Sequence, residues 1–411
     1  MGKKVLWERN MKFNKFVKGG LAAVMAMGMM ACSNSGGSAT TTTTEPTGGD
    51  AALKLGFSGP LTGDASVYGL AVQHAVEIAV EEVNAGDGVK FEVNAQDDMA
   101  DPEKAVSAYN ALMDWGMQVS LLTVTSGAGQ AVAPQYQKDN MFGITPSASS
   151  TAVIYADAEN NANPYGSVFQ MCFTDPNQGT ASAAYLKKHA ELGTKVAVIY
   201  RSDDNYSSGI YNTFMAEAEK EGLEVVSTAA FVNADTDYSV QVKQAADAGA
   251  EILFLPIYYQ PASQILVEAN KQGYKPVFFG CDGMDGILSL DNFDKSLAEG
   301  LYMLTPFSAD ATDEKTQNFV KKYQEKFGEV PNQFAADAYD CVYAVKQAAD
   351  AAGVTADMST ADITAAMVAQ FTSMTFDGIT GTSMKWSKTG EVSKDPKAVV
   401  IQNGAYVGVE D

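Results

Sequence analysis

The chain has 411 residues, 46% of them hydrophobic, and a formal net charge of −22, which is room for two cores of ordinary domain size. Such acidity excludes nucleic acid and anionic lipid as electrostatic partners. Four cysteines at long spacings and only two histidines, His74 and His189, indicate neither a disulfide framework nor a metal site.

Met1–Ala31 places six basic residues before the apolar run Gly19–Ala31. This pattern predicts a secretory signal, too short to span a bilayer as a mature helix. Met11, followed by Lys12, is an alternative start to Met1. Met29-Met30-Ala31-Cys32 resembles the lipobox of bacterial lipoproteins, which implies lipid at Cys32 as the membrane attachment. Residues 32–50, SNSGGSATTTTTEPTGGD after the cysteine, cannot pack and read as a flexible tether.

Strand patterns at Leu53–Phe57 and Val89–Val93 flank a turn, Ser58–Gly63, and a helix over Tyr68–Asn84. Asp97, Asp98 and Asp101-Pro102 precede a helix over Glu103–Trp115. Three acids suggest a metal, but helix capping is the better reading. Leu121–Val124 is expected as a buried strand ending in Thr125, Ser126, Gly127 and Gly129, which open a helix to about Lys138. Phe142–Thr145 repeats the pattern, with Pro146 followed by Ser147, Ala148, Ser149 and Ser150. Unpaired amides and hydroxyls at two neighbouring strand ends suit a carboxylate. Taken singly, Ser126 and Ser149 read first as helix caps, and the pair is more informative than either member.

Ser167–Phe173 is a strand, Asp175-Pro176-Asn177 a turn, and Gly179–Ala190 a helix. Strands and helices then alternate from Lys195 to Phe279, which implies a parallel sheet. Gly300–Pro306 reads as a crossing strand, followed by helices at Asp313–Phe327, Phe334–Ala352 and Thr360–Gln370 and strands at Gly381–Trp386 and Ala398–Gln402. The strand ends of this half carry Tyr206, Tyr258-Tyr259 and Gly280-Cys281-Asp282-Gly283. Asp282 is placed to pair with an ammonium, or to serve as a turn residue. A hydrolase would need a base near Ser126, and no G-x-S-x-G elbow is present.

With these residues in hand, Leu53 to the end resembles the leucine/isoleucine/valine-binding protein family, the type I periplasmic binding proteins of branched-chain amino acid ABC transporters. Its landmarks here are SGPLTG at Ser58–Gly63, Asp97–Pro102, ITPSAS at Ile144–Ser149, Tyr206, Tyr258-Tyr259, GCDG at Gly280–Gly283, AYD at Ala338–Asp340 and FDGITG at Phe376–Gly381. The resemblance implies an α/β fold of two Rossmann-like lobes with parallel sheets and a multi-strand hinge. Residues 51–174 with 306–392 would form one lobe, and 175–305 with 393–411 the other. It implies Ser126 and Ser149 on the ligand carboxylate, with Gly127 and Ala148 beside them. The Ser147 carbonyl and Asp282 would take the ammonium, Tyr68, Tyr206 and Tyr258 would close over the ligand, and Phe334 would line its side-chain pocket. Asp282 stands where well-studied members carry glutamate. The implied protein is a monomeric, lipid-anchored, extracytoplasmic carrier of an α-amino acid to a permease, without cofactor, metal or chemistry. Capture of an amide, urea or small carboxylate, or sensing for a signalling partner, stays open.

Overall fold

The computed structural model describes residues 51–409; the expected signal segment, Cys32 and tether lie outside the described residues. In chain order the first half runs β1 (Leu53–Gly59), α1 (Ser66–Ala85), β2 (Phe91–Asp97), α2 (Pro102–Trp115), β3 (Val119–Ser120), α3 (Ser126–Asp139), β4 (Gly143–Thr145), β5 (Tyr155–Asp157), β6 (Ala162–Pro164) and β7 (Val168–Gln170). Then come α4 (Asp175–Lys188), β8 (Lys195–Arg201), α5 (Asn205–Glu221), β9 (Glu224–Phe231), α6 (Ser239–Asp247), β10 (Ile252–Leu255), α7 (Tyr259–Gln272), β11 (Val277–Gly280) and β12 (Tyr302–Thr305). The chain closes with α8 (Glu314–Phe327), α9 (Gln333–Ala352), α10 (Thr360–Phe371), β13 (Lys397–Gln402) and β14 (Ala405–Gly408).

Two sheets divide these strands. The first has the order β2-β1-β3-β4-β7 and is parallel throughout. The second has the order β14-β13-β12-β11-β10-β8-β9, parallel from β9 to β12, with β13 and β14 added antiparallel. Leu53, Leu55 and Phe57 of β1 are fully buried under α1, whose Val72, Ala75, Ala79 and Val83 form the facing apolar stripe. In each sheet the strand order reverses once, between β1 and β3 and between β8 and β10. Ligands of open α/β sheets bind beyond the carboxyl ends at such points. The chain passes between the sheets after β7, after β12 and before β13.

Several expected elements differ. The ladder of β3 stops at Ser120, because the Leu122 amide donates to the Ser120 hydroxyl at 2.9 Å and Leu122 takes φ of 43°. Residues 121–124 are therefore irregular rather than strand. The expected turn at Asp175–Asn177 is the first turn of α4, with Thr174 as N-cap and Pro176 inside the first turn. Gly381–Trp386 makes only isolated bridges, Phe376 to Met384 and Trp386 to Val392. The β5–β6 pair and β14 were not expected, since neither has an apolar alternation to announce it.

Candidate functional site

The serines occupy the ends of β3 and β4. Thr125 is the N-cap of α3 without a side-chain cap bond, and Ser126 is its first residue. The Ser126 hydroxyl accepts the Ser150 amide at 3.1 Å, so it joins two strand ends instead of capping its own helix. Ser147 donates to the Val124 carbonyl at 2.8 Å, and the Thr145 hydroxyl accepts the amides of Ser147 and Ala148 at 3.2 and 2.9 Å. Gln170 holds the far side of the turn through the carbonyls of Ala148 and Ser150. Ser149 is fully buried, and its hydroxyl has no hydrogen-bond partner. Gly127 sits half-buried beside Pro102 at the same helix start. The first amides of α3 lack intrahelical acceptors by construction, so this corner favours a negative group.

The aromatic residues form one cluster. The Tyr68 ring lies 4.2 Å from Phe334 and edge-on to Tyr258 at 5.6 Å, and Tyr258 stacks on Tyr206 at 5.0 Å. Tyr206, at the start of α5, accepts the Gly283 amide at 2.9 Å. A Cβ on Gly283 would come within 2.7 Å of that hydroxyl, which explains the glycine. Asp282 follows β11 in the same turn and is 3% exposed. One of its carboxylate oxygens accepts from Gln178 at 3.0 Å, and the other has no partner. Burial pushes Asp282 up to about 7, opposed by the neighbouring Tyr206 hydroxyl and by the Gln178 hydrogen bond.

Three further groups were not singled out from sequence. Asp175 is 1% exposed, its amide donates to the Ser149 carbonyl at 3.0 Å, and its carboxyl lies against the Ser149 hydroxyl without a formed hydrogen bond. Burial raises it well above the usual carboxylate range, and Asp282 adds to the rise. Asp175 thus links the serine corner to Asp282. Gln178 is fully buried, and Gln333, at the start of α9, donates to the Asp282 carbonyl at 3.2 Å. Asp175 and Gln178 sit in a D-P-N-Q stretch that reads as turn and helix start. Only the direction of their side chains, which one-dimensional pattern does not carry, brings them to Asp282 and Ser149.

The acids Asp97, Asp98 and Asp101 serve backbone amides. Asp101 accepts from Glu103 and Lys104, Asp98 from Ala100, and Asp97 from Leu61 and Met99. Among the described residues no group of three His, Cys, Asp or Glu side chains is arranged for a metal. His74 stacks on Phe327 at 3.8 Å, and His189 ends α4 with Glu191 at 2.9 Å. Cys172, Cys281 and Cys341 are buried thiols.

The sequence profile described as periplasmic binding protein matches residues 52–405. A Leu/Ile/Val-binding protein homolog of Brucella melitensis is 26% identical, over 88% of this chain and 94% of its own length. The branched-chain amino acid transporter substrate binding protein of Streptococcus pneumoniae, solved with isoleucine, superposes with a TM-score of 0.75 at 24% identity, over 87% of this chain and all of that one. A solute binding protein of R. palustris, solved with benzoate, gives 0.76 at 19%, over 87% and 96%.

Proposed function

Because the chain belongs to the periplasmic binding protein family, with its α/β fold of two lobes, we propose that it captures an α-amino acid between those lobes and hands it to a membrane permease. The observation that carries this reading is Asp282, a buried acid with one unpartnered oxygen, whose charge reaches Asp175, the neighbour of Ser149. A zwitterion complements both ends. Its carboxylate would meet Ser126, Ser149 and the start of α3, with Gly127 and Ala148 at the turn. Its ammonium would meet Asp282 and the Ser147 carbonyl, under Tyr68, Tyr206 and Tyr258, and its side chain would rest against Phe334. We assign 51–174 with 306–392 to one lobe and 175–305 with 393–409 to the other.

The family places the protein outside the cytoplasm, and no helix among the described residues is long and apolar enough to cross a membrane. Attachment through lipid at Cys32, a monomeric state and delivery to an ABC permease belong to the same proposal. The competing ligand is an aromatic acid, which the benzoate-bound relative of the fold takes. Such a ligand brings no cation to Asp282, so burial of that acid would go uncompensated. Calorimetry with the twenty amino acids and with benzoate separates the two. Asp282→Asn should weaken an amino acid by tenfold or more, at roughly 1.5–3 kcal/mol per charge-assisted hydrogen bond. Tight benzoate binding, indifferent to Asp282→Asn, would sink the amino-acid reading.

A further inference from the structure

We propose that Gln178 is a positioning residue, holding one oxygen of Asp282 so that the other is presented to the ligand's ammonium; this rests on the amino-acid reading above. Gln178 sits in the first turns of α4 and is fully buried. Its side-chain N–H donates to one oxygen of Asp282 at 3.0 Å, and its carbonyl accepts the Asp282 amide at 3.3 Å. The paired bonds fix which way the amide faces, since a flipped amide would set oxygen against carboxylate and N–H against N–H. Both residues belong to the elements of the second sheet, and the first lobe touches the pair only through backbone carbonyls, Gln178 donating to that of Phe173 at 3.5 Å and Gln333 to that of Asp282 at 3.2 Å, neither of them at the carboxylate. The carboxylate is therefore oriented by its own neighbour, and the remaining oxygen is left for the ligand.

A donor to the charged form of an acid favours that form. Gln178 is thus, with the Tyr206 hydroxyl, one of the neutral groups that hold Asp282 down against the pull of burial. Of the titratable groups that face Asp282, Asp337 opposes it and the Tyr206 hydroxyl assists, while Asp175, Tyr68, Tyr258, Cys172 and Cys281 are themselves raised by Asp282 and stay neutral as it titrates. Removing the amide should leave the fold in place and move the pH at which ligand is lost.

The probe is the tightest-binding of the twenty amino acids, titrated by calorimetry between about pH 5 and about pH 9 into wild type, Gln178→Ala and Gln178→Glu. In Gln178→Ala the midpoint of affinity loss on acidification should move up by about one pH unit, with about tenfold weaker binding at neutrality and recovery at the alkaline end. Gln178→Glu, which replaces the donor by a second acid, should move it further. An unchanged midpoint, or a loss of affinity independent of pH, overturns the positioning role while leaving the amino-acid reading intact. Failure of wild type to bind any amino acid removes both. Should Gln178→Ala unfold, Gln178→Met keeps the volume and carries the same comparison.

Discussion

Asp282 and Asp285 are buried acids with unpartnered oxygens, and burial pushes them up to about 7 and about 6. An unfolded aspartate titrates near ~3.9, so between that value and the folded one the native state binds more protons than the unfolded state. For a raised acid the sign is a loss of stability as pH climbs through this window. We therefore expect the ligand-free protein to melt at a higher temperature near pH 5 than near pH 7. A bound ammonium reverses the term at Asp282, so the increment in melting temperature given by the amino acid should grow over the same interval. Scanning calorimetry with and without ligand reads both trends, and an increment that shrinks with pH would contradict them. At this scale the sequence exposed the residues that end strands, Ser126, Ser149, Tyr206, Tyr258 and Asp282, because strand ends are visible as breaks in apolar runs. It hid Asp175 and Gln178, whose importance lies in the direction of a side chain from a helix start.

The elements were legible where alternation of strand and amphipathic helix is regular, from β8 through β11. They were less so where a single hydroxyl decides the outcome, as Ser120 does in ending β3. Two late motifs acquire a reason only in three dimensions. Asp340 of AYD accepts the amides of Ile379 and Thr380 from FDGITG, both at 2.9 Å, and a Cβ on Gly378 would collide with the Asp340 carboxylate. The Lys394 ammonium, fully buried on the last passage between the sheets, donates to Asp337 of α9 at 2.6 Å and to the Thr380 hydroxyl at 2.7 Å. This network ties the passage to the core of the first sheet. Lys394→Ala leaves Asp337 buried without its cation and should cost about 3–5 kcal/mol in urea unfolding. A loss under about 1 kcal/mol would mean that water reaches Asp337 and the network is not closed.

Across the whole molecule, the two lobes meet through hydrogen bonds that no ligand supplies. The Tyr259 hydroxyl donates to the Asp64 carbonyl at 2.7 Å, the Tyr68 hydroxyl donates to the Gly283 carbonyl and accepts the Tyr259 amide at 3.3 Å, and Asp285 accepts the Gln333 amide at 2.9 Å. Bonds of this kind would belong to a closed form. A ligand moves the balance toward it only by binding it better than the open form. Tyr259→Phe removes a contact special to closure, outside the proposed ligand contacts. It should weaken binding about fivefold, roughly 1 kcal/mol, and enlarge the ligand-free particle seen by small-angle scattering. An unaltered affinity would show that closure does not draw on that hydroxyl.

The interleaving of the chain has a consequence for the order of its assembly. The first sheet's helical cover includes α9 and α10, and β12 of the second sheet pairs with β13, whose partner residues Ala398–Val400 come almost a hundred positions later. Neither half can therefore be completed while synthesis is in progress, since each waits for segments made near the end. A polypeptide built this way stays unlocked through most of its production, the condition in which it can still be threaded across a membrane.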